Sequence, residues 1–572
     1  MIERSFPKVA PGDPSNPPPT VFAADQSIFD PADPYVRTEQ TFPHLSPEMI
    51  DRVCTYGASE TIGAGGVLAS PGQRGVDFFV ITSGRVGIFA RERDGTQSLI
   101  VEHDAGQFTG ELDLLNERES LVEARVIEDA KIVRLDRPSF QRMIVGEPDA
   151  AEIILRAVIL RRMGIIRYAH NGLTVIGRAN DGATLEVQRF LLRNGYPLRV
   201  EDADESPQAQ KLMAELSLDN ADLPAVVLAS GVTLRRPTIH ALADAIGLME
   251  PLDPARVHDI VIVGAGPGGL AAAVYAASEG LDTIVIEGHA PGGQAGTSSR
   301  IENYLGFPTG VSGQALAGRA HVQAQKFGAR LAISRKAVSL DCSVVPYRLV
   351  LDDGSAINAR AIVIATGARY RRLGVRDDAR YEGRGIHYAA TAMEANLAAN
   401  QEVVVVGGGN SAGQAAIFLS RGARHVHILV RGDGLAATMS DYLIQRIASS
   451  PKITLHSHTV VSGLSGEPFL RKVDWRNTLT GKEGSIDTSS LFVMVGAEPN
   501  TTWLGDCVHL DERGFVLTGQ KAGRADDSMF ETSLAGVFAI GDVRSASVKR
   551  VASAVGEGSV VVSAIHQFLD PA

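Results

Sequence analysis

Cysteine is scarce in this sequence, with Cys54, Cys342 and Cys507 the only three among 572 residues. They lie too far apart for a C-x-x-C pair or a zinc knuckle and are too few for a disulfide framework, so neither a metal site nor disulfide staples are expected. That scarcity suits a reducing, cytoplasmic setting. Positive charge is not in excess either: Lys+Arg 55 against Asp+Glu 66 gives a net charge of -11, which removes any general electrostatic reason for a nucleic-acid or anionic-membrane partner. An apolar core of the kind a secretory signal needs is missing from residues 1–20. The longest nearly uncharged stretch, Ile260 to Ser278, contains GAGPGG, whose glycines fit a strand, turn and helix better than a lipid-embedded helix. What is abundant is glycine, at 59 residues.

At roughly 150 residues per domain the length predicts about four domains. Residues 1–42, rich in Pro, Asp and Ser, read as an extended arm. Residues 43–168 carry short period-2 runs with turns at Ser83-Gly84, Asp94-Gly95 and Ala105-Gly106, then a helical stretch from Asp149 to Arg167, which predicts an antiparallel β-roll and a linker helix. The pattern Gly65 to Leu68, Phe79-Val80-Ile81, Ser83-Gly84-Arg85-Val86 and Gly106-Gln107-Phe108-Thr109-Gly110-Glu111-Leu112 resembles a cyclic-nucleotide-binding domain. That resemblance implies a ribose contact at Glu111 and an arginine for the cyclic phosphate. Ser120 stands where the arginine is expected, and Arg118 lies two residues early. Because a guanidinium fork is sensitive to geometry, packing or dimerisation is favoured over cyclic-nucleotide binding as the role of this domain. No helix-turn-helix follows it.

Residues 170–250 alternate strand and helix, which predicts a small α/β domain. With Leu223-Pro224-Ala225 before a strand, it resembles a glutaredoxin or thioredoxin module. Where that fold carries its nucleophilic thiol the sequence reads Arg178-Ala179-Asn180-Asp181-Gly182-Ala183-Thr184, so disulfide exchange is excluded and a docking or spacer role is expected.

From His258 an apolar strand enters Gly264-Ala265-Gly266-Pro267-Gly268-Gly269, a helix follows, and a second strand ends in Glu287. The glycines permit the tight turn, the backbone's approach to a pyrophosphate and close helix packing, while Glu287 suits a ribose diol. The pattern recurs with Gly407, Gly409, Asn410, Ser411 and Ala412 before a helix, and the next strand ends in Arg431. A basic residue there suits the 2′-phosphate of NADPH, with NADH the alternative donor. One unit ending acidic and one basic imply FAD and a pyridine nucleotide.

Together with Gly292-Gly293-Gln294, Ile301-Glu302-Asn303-Tyr304-Leu305-Gly306-Phe307-Pro308, Ala365-Thr366-Gly367, Gly496-Ala497-Glu498-Pro499-Asn500-Thr501 and Gly541-Asp542-Val543, these motifs resemble the low-molecular-weight thioredoxin reductases. The resemblance implies a Rossmann-type α/β reductase with an FAD-binding domain at 255–373 and 491–572 and an NAD(P)H-binding domain inserted at 374–490. It implies a homodimer, FAD contacts at Gly293, Gln294, Asn303, Thr366, Gly367, Gly541 and Asp542, and a helix beginning at Arg550 and Val551 that points toward the flavin. Lys549 and Arg550 become candidates for stabilising an anionic reduced flavin. The family's dithiol positions fall on Ala389 and Ala392, and alanine can neither attack nor form a mixed disulfide. The expected activity is therefore hydride transfer from NADPH to FAD and on to a non-thioredoxin acceptor: a quinone, oxygen, a redox protein or a small disulfide. A redox-sensing scaffold with little turnover, and a thioredoxin reductase with relocated cysteines, are the alternatives.

Overall fold

The computed structural model describes residues 37–91, 97–110, 118–168, 172–179, 181–436, 439–524 and 529–570. Most of the expected arm, the Asp94-Gly95 turn, Glu111, Leu112 and Asn180 lie outside the described residues. The chain divides into two compact units. One is formed by the described residues of Met1–Ala179, Glu186–Pro251 and Val322–Ser334, and the other by those of Asn180–Leu185, Leu252–His321 and Arg335–Ala572.

In the first unit, short helices α1 (Thr38–Thr41) and α2 (Pro47–Cys54) precede the strands β1 (Ala58–Ile62), β2 (Val67–Ala69), β3 (Phe78–Arg91), β4 (Gln97–His103), β5 (Phe108–Thr109) and β6 (Glu123–Leu135). The sheet runs β1-β6-β3-β4 with β2 on β6 and β5 on β3, antiparallel throughout. This is the expected β-roll. The long β3–β6 register shifts between Ile81 and Ser83, beside Gly84, whose φ of 82° only glycine adopts without penalty. Phe78, Val80, Phe108, Leu135 and Phe140 fill one side of the roll. Helices α3 (Arg137–Gly146) and α4 (Pro148–Tyr168) follow, and Ile154, Ala157 and Val158 of α4 close the same core.

The next segment contains β7 (Leu173–Gly177), α5 (Gly182–Arg193), β8 (Leu198–Asp202), α6 (Pro207–Glu215), β9 (Ala225–Val227), β10 (Thr233–Arg235) and α7 (Ile239–Ala245). Its sheet order is β10-β9-β7-β8, with β7 parallel to β8 and antiparallel to β9. The Leu223–Pro224 peptide is cis. Arg118 Nη1 donates to the Asn194 carbonyl at 2.9 Å, and Arg118 and Arg162 both lie over the buried Tyr196 ring.

The second unit is the two-lobed body. Its first lobe holds β11 (Val257–Val263), α8 (Pro267–Ser278) and β12 (Thr283–Glu287); α9 (Gly313–Lys326) and β13 (Arg330–Ile333) follow in sequence. Strands β14 (Ala337–Asp341), β15 (Tyr347–Leu351) and β16 (Ala356–Ile364) continue the lobe, and β17 (Ala368–Tyr370) leaves it. β11 sits between β12 and β16, parallel to both, and β15 and β14 extend the sheet antiparallel. Near-continuous Val and Ile in β11 match a strand covered on both faces.

The inserted lobe comprises β18 (Ile386–His387), α10 (Ala392–Leu397), β19 (Glu402–Val406), α11 (Asn410–Leu419), β20 (His425–Leu429), α12 (Asp441–Ser449) and β21 (Ile453–His456), a three-stranded meander of β22 (Thr459–Ser465), β23 (Lys472–Asn477) and β24 (Glu483–Asp487), and β25 (Leu491–Val493). Its main sheet, β18-β25-β19-β20-β21, is wholly parallel. β26 (Ala497–Pro499) returns against β17, β27 (Val537–Ala539) joins β16, and α13 (Val551–Leu569) ends the lobe.

One expectation is overturned. Cys342 and Cys507, 165 positions apart in sequence, form a disulfide. Linear spacing hid this because the insertion leaves and re-enters the same lobe, which brings the two Cα atoms to 5.9 Å. Among the described residues no helix is long and apolar enough to cross a membrane, and no cluster of three or more His, Cys, Asp or Glu could hold a metal ion.

Candidate active site

The first glycine turn closes on its own strand. Gly264 has φ 107°, and a Cβ on it would collide with the Ala365 carbonyl, so only glycine lets β11 turn this close to β16. Gly266 caps α8, with open space where its Cβ would be. Gly268 and Gly269 are buried in the helix's first turn. A Cβ on Gly269 would strike the Gly264 carbonyl. The result is a glycine-capped helix N-terminus with open space at its cap, which is the cradle an anionic pyrophosphate needs. Gly293, at φ 54°, has its missing Cβ 3.1 Å from Gly266 Cα, placing the Gly292-Gly293-Gln294 turn beside the cradle.

Glu287 accepts hydrogen bonds from the backbone N–H of Ala265 at 2.9 Å, of His289 at 2.9 Å and of Ala290 at 3.3 Å. Its carboxylate thus braces the glycine turn, a role sequence reading missed when it reserved Glu287 for a ribose. A carboxylate has acceptor positions beyond these three donors, so both roles are compatible. Gln294 donates to the Ala368 carbonyl at 2.7 Å. Thr366 Oγ1 donates to the Asn500 carbonyl at 2.8 Å and Asn500 Nδ2 to the Thr366 carbonyl at 2.9 Å. This reciprocal pair locks the segment leaving the first lobe to the segment returning to it, with Gly367 (φ 63°) at the turn. Asn303 is exposed in its loop, where neighbouring Glu302 pairs with Arg446 of α12 at 2.5 Å.

The second glycine turn repeats the first. Gly407 has φ 140°, and a Cβ there would collide with the Met494 carbonyl. Gly409 caps α11, and Ala412 is fully buried against the parallel sheet. Asn410 Oδ1 accepts from the Ser440 N–H at 2.7 Å, fixing the loop after β20. Ser411 is hydrogen-bonded to the Tyr370 hydroxyl, whose pKa is raised chiefly by burial. Arg431 is exposed, with no ion-pair partner among the described residues.

At the carboxyl end of β27, Gly541 (φ 70°) and Asp542 form a single 3-10 turn. Burial raises the Asp542 pKa, opposed by Lys549 and reinforced by Glu557. Lys549 Nζ donates to the Asp542 carbonyl at 3.0 Å and lies 4.4 Å from the Phe515 ring centroid. Burial lowers its pKa, against Asp542, Asp511 and Glu557, which raise it. Arg550 is the exposed N-cap of α13, and Val551 is its first residue. Ala389 and Ala392 flank Thr391 at the start of α10, where Thr391 and Glu394 form a capping box. Both alanines are half-buried.

Two glycine-capped helices, one following a parallel strand of a mixed sheet and one on a wholly parallel sheet, joined by an antiparallel strand pair, define a dinucleotide oxidoreductase. The chain belongs to the pyridine nucleotide-disulphide oxidoreductase family, whose model matches residues 258–558, and it also carries a cyclic nucleotide-binding domain matched at 59–146. It is an FAD-dependent enzyme that uses NADPH. More particularly, it is similar to thioredoxin reductases. It is 36% identical to that of Mycolicibacterium smegmatis over 303 residues, 53% of this chain and 93% of the relative. It is 34% identical to NADPH-dependent thioredoxin reductase 3 of Arabidopsis thaliana over 325 residues, 55% of this chain and 58% of the relative. Among solved structures, Lactococcus lactis thioredoxin reductase in its FR conformation matches with TM-score 0.51 and 29% identity, over 55% of this chain and 99% of that one. The T. acidophilum enzyme matches with TM-score 0.50 and 31% identity, over 55% and 98%.

Proposed function

We propose that this chain passes reducing equivalents from NADPH through FAD to an acceptor other than thioredoxin, and that it does so without a dithiol at the family's positions. The observation that carries the reading is the chemistry of its sulfur. By the resemblance, the family's dithiol positions fall on Ala389 and Ala392, at the start of α10. Cys342 and Cys507 are bonded to each other. Cys54 lies in the other compact unit, and burial, with Asp51, raises its thiol pKa, the reverse of what a nucleophilic thiolate requires.

FAD, when bound, supplies a two-electron acceptor for the NADPH hydride, and the chain supplies position and charge. The α8 cradle would hold the pyrophosphate, with Glu287 at a ribose. Asp542 would meet the ribityl–pyrophosphate region, while Gln294, Asn303, Thr366 and Gly367 surround the remainder. The α11 N-terminus with Gly407, Gly409, Asn410, Ser411 and Ala412 would hold the nicotinamide dinucleotide, and Arg431 its 2′-phosphate. Lys549, fixed on the Asp542 carbonyl, lends positive charge to this end of the lobe. We read the domains as a roll at 43–168, a module at 170–250, an FAD domain at 255–373 and 491–572, and a nucleotide domain at 374–490. The strand order β10-β9-β7-β8 supports a thioredoxin-like module, and its thiol-free first turn supports docking over catalysis.

The roll is read as a packing or dimerisation domain. Arg118 is committed to Asn194 and Tyr196. A roll cavity lined in part by Phe79, Val101, His103, Ser120 and Arg161 has a volume of about 60 Å³, against the roughly 300 Å³ or more of a typical ligand site.

Anaerobic titration with NADPH and NADH, followed by a screen of quinones, oxygen, redox proteins and small disulfides, tests the proposal. Flavin bleaching by NADPH, no turnover with thioredoxin and turnover with another acceptor support it. Thioredoxin reduction that disappears in the Cys342→Ala/Cys507→Ala protein would favour relocated cysteines, and bleaching without turnover on any acceptor would favour a redox-sensing scaffold.

A further inference from the structure

The turn that carries Asp542 is held by a side chain to which no role has yet been given. Glu557 lies on α13, two turns beyond its N-terminus, with its side chain 12% exposed. Its Oε2 accepts the Gly541 N–H at 2.6 Å, and its Oε1 accepts from Arg544 Nη2 at 2.5 Å. Arg544 Nε reaches Oε2 at 3.3 Å, so the guanidinium grips both carboxylate oxygens. Arg544 is itself 18% exposed and lies over the Phe530 ring, 5.4 Å from its centroid. One carboxylate therefore binds the chain on both sides of Asp542. The adjacent Gly558 sets where that carboxylate stands: a Cβ on it would collide with the Gly268 carbonyl, so α13 rests directly on the first turn of α8. The path from the pyrophosphate cradle to the Asp542 turn is short and rigid: Gly268, Gly558, Glu557, Gly541.

We infer that Glu557, with Arg544 as its counter-ion, is a positioning residue for the flavin, fixing the Gly541–Asp542 turn in register with the α8 cradle. The inference rests on the reading of Asp542 as a flavin contact. A carboxylate this close to an anionic cofactor would repel it if left bare, and the two-oxygen grip of Arg544 offsets that charge. Taking the Gly541 N–H also fixes the Ile540–Gly541 peptide plane, one residue before Asp542.

The test uses the full chain, with FAD as the probe. The 450 nm to 280 nm absorbance ratio is read after gel filtration, and FAD is titrated by fluorescence into deflavinated protein. Glu557→Ala should weaken FAD binding by about tenfold or more, the range seen when a partner that orients a ligating group is removed. Glu557→Gln keeps an acceptor for the Gly541 N–H and should restore most of that loss, while KM for NADPH stays unchanged in both. Asp542→Asn separates the two readings. If it leaves FAD affinity intact, the Asp542 assignment falls and the inference with it. If it weakens FAD while both Glu557 variants bind like wild type, the inference alone is overturned. Equal loss of FAD in Glu557→Gln and Glu557→Ala, with equal loss of melting temperature in the deflavinated proteins, would show a packing role and also overturn it. Should Glu557→Ala fail to fold, Glu557→Gln against Arg544→Met decides: the inference requires weaker FAD binding in Arg544→Met than in Glu557→Gln.

Discussion

The Cys342–Cys507 bond offers the sharpest quantitative test of how the two-lobed unit is held together. It joins the end of β14 to the segment that returns from the inserted lobe, so the closed loop of 165 positions contains the whole nucleotide lobe and both connecting strands. A cross-link restricts the unfolded chain more as its loop lengthens, and the chain-entropy relation gives about 5 kcal/mol for a loop this long, as a ceiling. Measured values cluster at about 2–4 kcal/mol. We therefore expect reduction, or the double substitution Cys342→Ala/Cys507→Ala, to cost the cooperative unit containing the FAD lobe about 3 kcal/mol. With a urea dependence of about 3 kcal/mol per molar, the midpoint should fall by about 1 M. The assay is urea unfolding followed by flavin fluorescence, with and without dithiothreitol, on wild type and the double variant. Wild type should respond to the reductant and the variant should not. A wild-type midpoint unmoved by reductant, with free-thiol counts confirming cleavage, would refute the loop-entropy argument. Steady-state turnover should survive the substitution, because the proposed hydride path uses neither cysteine.

Other expectations follow from single contacts. Substituting Gly558 by Ala should force α13 from α8, costing about 1–3 kcal/mol by overpacking and lowering FAD retention; thermal unfolding and flavin content check it. Arg431→Ala should raise KM for NADPH by about tenfold and leave KM for NADH unchanged, as expected of a charge that meets only the 2′-phosphate. His103 is buried in the roll, and its pKa is held well below 6.5, first by burial and then by the Arg161 guanidinium. The folded state keeps it neutral while the unfolded chain takes up a proton. Stability should therefore be flat above about pH 6.5 and fall below it, by up to about 1.4 kcal/mol per pH unit, until the folded pKa is reached. Hydrogen exchange of β3 and β6 amides against pH should show this slope in wild type and lose it in His103→Gln.

The sequence was most legible where chemistry is local. A glycine turn between an apolar strand and a helix is written in consecutive residues, so Gly264 to Gly269 and Gly407 to Ala412 could be read with their helices; Glu287 ends β12 as expected, whereas Arg431 lies two residues past Leu429, where β20 ends. That the chain holds only three cysteines, none in a C-x-x-C pair, was legible for the same reason, since it needs no geometry to establish. Period-2 runs and the helical stretch of α4 likewise gave the roll and its linker helix, because period follows from backbone geometry alone.

Tertiary structure decided what depends on residues far apart in sequence. Cys342 meets Cys507 only because the nucleotide lobe is an insertion that returns to its host. Asn500 meets Thr366 and Arg446 meets Glu302 across the same insertion. Arg118 was available on paper for a phosphate, yet the small module's Asn194 carbonyl and Tyr196 ring claim it. Nothing local marks Glu557 within its helix; the closure of Gly558 on Gly268 is what places its carboxylate on the Gly541 turn. Local backbone preference fixes turns and periods, so the sequence alone determined two glycine turns between strand and helix and the scarcity of cysteine; long-range pairing depends on which surfaces the folded chain brings into contact, and that the structure alone decided.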